Sequence, residues 1–66
     1  MRVTANGRTF EVEPDTTLSV FLRSRDLDPR YVVVEWNGEP VERGRYEEPL
    51  QDGDRLELVR AVAGGS

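Results

Sequence analysis

The first part of the chain alternates polar and apolar residues in two short runs that an Asn-Gly pair separates. The runs cover residues 2–5 and 8–13, and Asn6-Gly7 lies between them. Period-two alternation is typical of a half-buried strand, and Asn-Gly readily adopts the positive φ angles of a two-residue type I′ turn. The pattern therefore predicts an antiparallel hairpin. The residues expected on its buried side are Val3, Ala5, Phe10 and Val12.

The apolar residues then recur at the i, i+3, i+4 spacing of an amphipathic helix. They are Leu18, Phe21 and Leu22. These side chains are expected to pack against the apolar face of the hairpin. Thr17, or Thr16, can cap the first turn by accepting a hydrogen bond from a free backbone N–H. Because Pro29 disfavours helical geometry in the residue before it, the helix is expected to end near residues 26–27.

Three consecutive valines between two aromatic residues, in the run 31–36, predict a strand in the middle of a sheet. If the Glu35 side chain faces water, the alternation along the strand determines which side every other residue faces. The helix side would then carry Val32, Val34 and Trp36, and the opposite side Tyr31 and Val33. A second Asn-Gly pair, at 37–38, leads into a short strand over 39–41, and Pro40 marks that strand as an edge.

The rest of the chain predicts one more strand. Residues 43–49 form a polar connection with a single helical turn around Tyr46, and residues 50–54 form a turn around Asp-Gly. The last strand runs from Arg55 to about Ala61, with Leu56 and Leu58 inward and Glu57, Val59 and Ala61 on the other face.

The order of elements predicts an α+β fold of the ubiquitin-like β-grasp type, with one helix across a mixed sheet of four to five strands. We expect a domain over residues 1–62 and a flexible C-terminal tail over 63–66.

The composition of the chain excludes several classes of function. The 66 residues contain 13 acidic and 9 basic side chains, every basic one an arginine, and the net charge of −4 argues against nucleic-acid binding. Because His and Cys are both absent, the usual nucleophiles and metal ligands are missing, so we expect neither an enzyme nor a metal site. Asp52 and Asp54 are explained by turn formation. The N-terminal sequence resembles no export signal, and no apolar run is long enough for a membrane span, so we expect a cytoplasmic protein.

Four segments, taken in order, resemble the bacterial sulfur carriers of the ThiS/MoaD group. They are Thr17-Leu18, Val32 to Glu39, Leu50 to Asp54, and Val62-Ala63-Gly64-Gly65. Each segment is a weak signal alone, but together they cover essentially the whole chain. The short length and the Gln-Asp-Gly-Asp before the last strand are more similar to the thiamine-pathway carriers than to the molybdopterin ones.

The resemblance implies that the C-terminal carboxylate of Gly65 is the reacting group. An adenylating enzyme related to ubiquitin-activating enzymes would activate it with ATP and Mg²⁺, while the carrier itself binds no cofactor. Sulfur from a donor such as a cysteine desulfurase would then give a thiocarboxylate for an acceptor such as thiazole synthase. Val62, Ala63 and Gly64 would thread Gly65 into the active site of the partner, since glycine has no side chain to obstruct a narrow channel.

Partner docking is expected next to this tail. The candidate residues are Val59, Ala61, Arg60, Tyr31 and Val33. Ser66 follows Gly65 and would hold its carboxyl group in a peptide bond, so Ser66 is either foreign to the natural chain or is removed by a trimming peptidase. The alternatives are a ubiquitin-like protein modifier, a β-grasp interaction module, or a carrier that supplies sulfur for molybdopterin, cysteine or a secondary metabolite.

Overall fold

Five strands and one α-helix make up residues 1–61, the part of the chain that the computed structural model describes. The elements are β1 (Arg2–Ala5), β2 (Arg8–Glu11), α1 (Leu18–Ser24), β3 (Val32–Trp36), β4 (Glu39–Pro40) and β5 (Arg55–Arg60). The sheet order is β2-β1-β5-β3-β4, with β1 and β5 parallel and the other neighbours antiparallel. This mixed sheet with one helix confirms the predicted β-grasp fold, and β5 lies at its centre.

Both Asn-Gly pairs form the predicted turns. The φ angles are 51° and 82° at Asn6 and Gly7, and 53° and 87° at Asn37 and Gly38, as a type I′ turn requires. The second strand was predicted to reach residue 13, which is wrong, since β2 ends at Glu11. Beyond it, the backbones of Met1 and Val12 still exchange two hydrogen bonds, of 2.8 and 2.9 Å. The backbone pairing of the hairpin therefore extends to Met1 and Val12, at the end away from the Asn-Gly turn.

Helix α1 begins as predicted but ends earlier. The Thr17 hydroxyl accepts a hydrogen bond from the backbone N–H of Val20 at 3.1 Å, so Thr17 is the N-cap. The expected end near residues 26–27 is wrong because Asp26 adopts a left-handed conformation, with φ of 62°. The N–H groups of Asp26 and Leu27 then bond to the carbonyls of Arg23 and Leu22, which is a Schellman motif.

Tyr31 lies in a 3₁₀ turn (Pro29–Tyr31), so its predicted place in the third strand is wrong. The physical reason is local. The Asp28 carboxylate caps the turn by accepting a hydrogen bond from the backbone N–H of Arg30 at 2.9 Å, and proline is favoured at the first position of a helical turn. Strand β3 consequently begins one residue later than expected, at Val32.

The core lies between α1 and the inner face of the sheet. Its buried members are Val3, Ala5, Leu18, Phe21, Leu22, Val32, Val34, Tyr46, Leu50 and Leu56. Phe10 and Phe21 meet edge to face at 5.6 Å, which confirms that the helix packs on the hairpin. Phe10, Val12, Trp36 and Leu58 are partly buried against the core.

The connection over residues 43–49 contributes to the core, so describing it as polar was wrong. The predicted helical turn is present as a 3₁₀ turn (Arg43–Arg45) just before Tyr46. Tyr46 is 4% exposed, and its hydroxyl donates a 2.7 Å hydrogen bond to the Val32 carbonyl. Leu50, expected in a turn, is also buried. Within residues 1–61, no helix has the length and apolar character needed to cross a membrane.

Candidate functional site

Strand β5 leads directly into the C-terminal segment and is hydrogen-bonded up to its last residue. Its register with β3 runs from Trp36 opposite Leu56 to Val32 opposite Arg60. One residue further, the backbone N–H of Ala61 donates a 2.6 Å hydrogen bond to the Tyr31 carbonyl. Ala61, the last described residue, is therefore held by the 3₁₀ turn that precedes β3. Val62, Ala63, Gly64, Gly65 and Ser66, which carry the predicted tail and reacting group, lie outside the described residues.

On its other side, β5 is held by β1 and then by a side chain. Thr4 and Ala5 lie opposite Arg55 and Leu56. Where β1 ends, the Asn6 amide takes over. Its Oδ1 accepts from the Leu58 N–H at 2.7 Å and its Nδ2 donates to the Leu58 carbonyl at 3.1 Å. The Asn6 side chain thus makes the two hydrogen bonds to β5 that a further backbone peptide group of β1 would make. These bonds hold β5 as far as Leu58.

The open face of the sheet, opposite α1, carries an exposed apolar pair beside the tail. Val33 and Val59 lie directly opposite each other on β3 and β5 and are 51% and 62% exposed. Tyr31, 46% exposed, and the half-buried Ala61 lie at the same end of the two strands. The structure therefore brings Val33 and Val59 together on the open face, while Tyr31 and Ala61 line a hollow that they share with Arg60.

Arg60, the fifth predicted docking residue, lies on the helix side. It is opposite the buried Val32, whereas Val59 faces the open side. Arg60 lines a shallow hollow of about 390 Å³ together with Asp26 and Asp28. The Asp28 carboxylate also accepts hydrogen bonds from the Arg30 guanidinium, the shortest at 2.8 Å. These bonds, with that from the backbone N–H of Arg30, lower the pKa of Asp28 to about 2. We call the end of the sheet at Val59 and Arg60 the tail root. It has an apolar side with Val33 and Val59 and a charged side with Arg60, Asp26 and Asp28.

Sequence reasoning missed an acidic pair on the open face. Glu35 and Glu57 lie directly opposite each other, next to Val33 and Val59 along the same two strands. Both glutamates are exposed. The sequence placed each of them on the solvent side, but only the pairing register shows that they are neighbours. An alignment of the two predicted strands at Val33 and Val59 is the signal that would have found them.

Asp54 has a structural role beyond the turn assigned to it. It is 7% exposed, and its two oxygens accept hydrogen bonds from Trp36 Nε1, Asn37 Nδ2 and the Gln51 N–H at 2.7–3.0 Å. A carboxylate with both oxygens already engaged is poorly suited to act as a base or ligand. Among residues 1–61, no three His, Cys, Asp or Glu side chains are grouped so that they could hold a metal ion.

Comparison with known proteins places the chain in a family. The model of the ThiS family matches residues 2–65. The sulfur carrier protein ThiS of Bacillus subtilis is 39% identical over 62 residues, which cover 91% of this chain and 94% of that protein. A thiazole synthase of Paramagnetospirillum magneticum is 34% identical over an alignment that covers all of this chain. The chain spans 21% of the length of that synthase.

Solved structures agree with the family match. The crystal structure of the thiamine biosynthesis protein ThiS from Geobacter metallireducens has a TM-score of 0.80 and 30% identity, and the match covers 98% of this chain and all of that one. An NMR solution structure of a thiamine biosynthesis protein from the same organism has a TM-score of 0.74 and 30% identity, covering all of this chain and 90% of that one. Because the family model covers nearly every residue and a relative of similar length exceeds 30% identity, the chain belongs to the ThiS family.

Proposed function

We propose that this protein is a sulfur carrier, a substrate of enzymes and not itself a catalyst. Its Gly65 carboxylate is converted to a thiocarboxylate that donates sulfur in biosynthesis, most specifically of the thiamine thiazole. The observation that carries the proposal is the family match over residues 2–65, which includes Gly64 and Gly65. The B. subtilis relative is a sulfur carrier protein, and the G. metallireducens relatives are thiamine biosynthesis proteins.

The geometry of β5 suits a carrier. The hydrogen bond between Ala61 and Tyr31 anchors the chain four residues before Gly65. At roughly 3.3 Å per residue, residues 62–65 in extended form reach about 13 Å beyond that anchor. Gly64 and Gly65 present no side chain, so they can enter a channel that excludes other residues. A rigid body outside the partner would thus present a thin terminal segment to its active site.

The chemistry needs activation because a carboxylate is a poor electrophile. An adenylating enzyme would join the Gly65 carboxylate to the AMP part of ATP, with Mg²⁺ on the phosphates and pyrophosphate released. The terminal sulfur of a persulfide, formed on a donor such as a cysteine desulfurase, would displace AMP. A thiol would then reduce the resulting S–S bond and leave the thiocarboxylate on Gly65. ATP and Mg²⁺ belong to the partner in this scheme, and the carrier contributes only its terminus.

Thiazole synthase is the acceptor that we propose. The P. magneticum thiazole synthase contains a segment similar to the whole of this chain, which accounts for 21% of that protein. A carrier-like segment joined to a synthase in one polypeptide has a high effective concentration at the synthase active site. Two separate chains would achieve the same transfer by docking.

Docking would use the root of the tail. The apolar pair Val33 and Val59 offers an exposed patch on the open face. Tyr31 and Ala61 lie at the same end of the sheet, in the hollow that Arg60 also lines. Arg60 would contact acidic groups of a partner from the helix side. A partner that grips both faces at this end would orient Gly65 without any contact to the core.

Mass spectrometry tests the proposal. Two chains, one ending at Gly65 and one at Ser66, are incubated with an adenylating enzyme, ATP, Mg²⁺ and a sulfur donor. The chain ending at Gly65 is expected to gain the mass of one oxygen-to-sulfur exchange. The chain ending at Ser66 is expected to gain it only after a trimming peptidase removes that residue. A Gly65 chain whose mass never changes would show that it is not charged with sulfur.

The other candidate roles predict different outcomes. Deleting residues 62–66 should abolish function in the cell for a carrier, whereas an interaction module that works through the sheet face alone would keep it. A protein modifier would form higher-mass conjugates in cell extracts that disappear when Gly65 is altered. The carrier should form none.

A further inference from the structure

The open face holds two like charges where a stable sheet gains from opposite ones. Glu35 on β3 and Glu57 on β5 are direct cross-strand partners. Like charges in directly opposed positions destabilise a sheet. Among residues 1–61, the ion pairs are Arg2 with Glu11, Arg30 with Asp28 and Arg45 with Glu48, so neither Glu35 nor Glu57 is neutralised in this part of the chain.

The acidic pair is continuous with the apolar pair. Glu35 follows Val33 by two residues on β3, and Glu57 precedes Val59 by two residues on β5, so all four side chains point to the same face. Cross-strand neighbours are about 5 Å apart and second neighbours along a strand about 7 Å. We call these four residues the mixed patch. Its apolar row lies at the tail root and its acidic row lies one step further from the tail.

The cations of the open face do not balance the mixed patch. Arg2 lies on β1 beyond β5 and is engaged with Glu11 at 2.6 Å. Arg55 precedes Glu57 by two residues, on the side away from the tail, and forms no ion pair with another described residue. The part of the sheet nearest the tail therefore presents two valines and two carboxylates.

We propose that the mixed patch binds a surface of the adenylating enzyme that presents an apolar side chain flanked by at least two Arg or Lys residues, which pair with Glu35 and Glu57. This inference rests on the proposed function, because that function requires a partner to grip the tail root. Charge complementarity selects the partner chemistry. Cations of the partner would relieve the repulsion between the two glutamates, so the acidic row is unfavourable in the free protein and favourable in the complex.

The proposal predicts effects of opposite sign on folding and binding. Replacing both glutamates by glutamine keeps their shape and removes their charge. The E35Q/E57Q variant should be at least as resistant to urea as the unaltered protein, since the like-charge contact is gone. Its dissociation constant for the adenylating enzyme should rise by roughly two- to thirty-fold, the range expected for the loss of two exposed ion pairs. A purely structural role would not improve folding and weaken binding together.

The experiment uses the chain ending at Gly65 and the adenylating enzyme of the same organism, with binding measured by calorimetry. The control variant is E13Q/E47Q, which removes the same net charge at two exposed positions outside β3, β4 and β5. Binding is compared at about 0.01 M and about 1 M NaCl, a range over which the Debye length falls from about 30 to about 3 Å. The unaltered protein and the control should lose affinity with salt, and E35Q/E57Q should lose much less.

Each other result overturns the proposal. Equal affinity and equal salt dependence of E35Q/E57Q and the control would show that the acidic row makes no contact. Weaker binding of E35Q/E57Q to thiazole synthase alone would assign the patch to a different partner. The proposed function is judged separately, by whether the unaltered chain gains sulfur. A chain that is charged normally while E35Q/E57Q binds normally refutes the patch and leaves the carrier role intact.

Discussion

Replacing Asp54 by alanine should destabilise the protein more than any other change of a single acidic side chain in residues 1–61. The carboxylate lies where β5 begins and ties three segments together. It accepts hydrogen bonds from Trp36 Nε1 at 2.8 Å, from Asn37 Nδ2 at 3.0 Å and from the Gln51 N–H at 2.7 Å. These donors belong to the end of β3, to the turn after it and to the loop before β5, so one side chain joins two adjacent strands and their connection.

The magnitude follows from the three donors. A hydrogen bond to a charged group contributes about 1.5–3 kcal/mol when both partners are buried, and about 1 kcal/mol when the freed donor can return to water. Asn37 and Gln51 are exposed, so the lower value applies to their two hydrogen bonds. Trp36 is half-buried, so the higher range applies to its bond. We therefore expect D54A to lower the free energy of unfolding by about 3.5–5 kcal/mol. Asp54→Asn retains one acceptor oxygen and should lose about 1–2 kcal/mol.

Urea unfolding followed by far-UV circular dichroism measures this loss without relying on Trp36, whose fluorescence the change itself would alter. The matched control is Asp52→Ala in the same turn. Asp52 accepts a single hydrogen bond, from the Arg2 N–H at 2.7 Å, and it is exposed, so its loss should cost about 0.5–1 kcal/mol. If D54A costs no more than D52A, the three hydrogen bonds do not stabilise the fold as argued.

Three further changes test other parts of the structure. Tyr46→Phe removes the hydrogen bond to the Val32 carbonyl and should cost about 1–2 kcal/mol in urea unfolding, and a neutral result would show that this carbonyl finds another donor. Leu22→Ala leaves a cavity at a fully buried site and should cost about 2–5 kcal/mol, seen as a lower Tm, with Val20→Ala on the exposed side of the helix as the control. Because Arg30 lowers the pKa of Asp28 from 3.8 to about 2, the contribution of this pair is fully present above about pH 4 and is lost as the pH falls toward 2. NMR titration of the Asp28 carboxyl should give that pKa, and an ordinary value would contradict the capped turn.

Local patterns predicted the parts of this fold that local physics determines. Both Asn-Gly turns, the Thr17 cap and the burial of Leu18, Phe21 and Leu22 depend on residues close in sequence. The strand alternation also placed Val33 and Val59 on the open face. These features can be predicted without knowing any distant contact, because turn type and hydrophobic periodicity depend on residues that are close in sequence.

Features that depend on contacts between distant segments were missed. Tyr46 looks like a surface residue among charged neighbours, yet its ring fills the core below β3 because the connection runs back across the domain. Asn6 pairs with Leu58, 52 positions away, and nothing near Asn6 indicates that bond. The end of α1 was missed for a different reason. Asp26, and not glycine, supplies the left-handed residue of the Schellman motif, so the usual glycine signal is absent.

The candidate site could be predicted only one strand at a time. Alternation shows which residues of β3 and of β5 face outward, but their relative register decides which outward residues meet. With Val33 opposite Val59, the apolar residues gather at the tail and the acidic residues lie directly behind them. A slip of two residues would instead place a valine opposite a glutamate and remove both pairs. The register therefore determines which residues form the proposed docking surface, and the sequence of either strand alone does not.

We expect the first end of strand β5 to serve the stability of the fold and its last end to serve partner binding. Its first end is held by Asp54 and by Asn37, whose Oδ1 accepts from the Arg55 N–H at 2.8 Å. Its last end carries Val59 and leads toward Gly65. Val59 comes five residues after Asp54, so at about 3.3 Å per residue the two positions lie roughly 16 Å apart. A change at Asp54 should therefore reduce charging with sulfur only in proportion to the unfolded fraction that it creates, whereas a change at Val59 should weaken partner binding in a fully folded protein. Lowering the temperature should restore charging in D54A and leave the defect of Val59→Ala in place, which separates loss of fold from loss of contact.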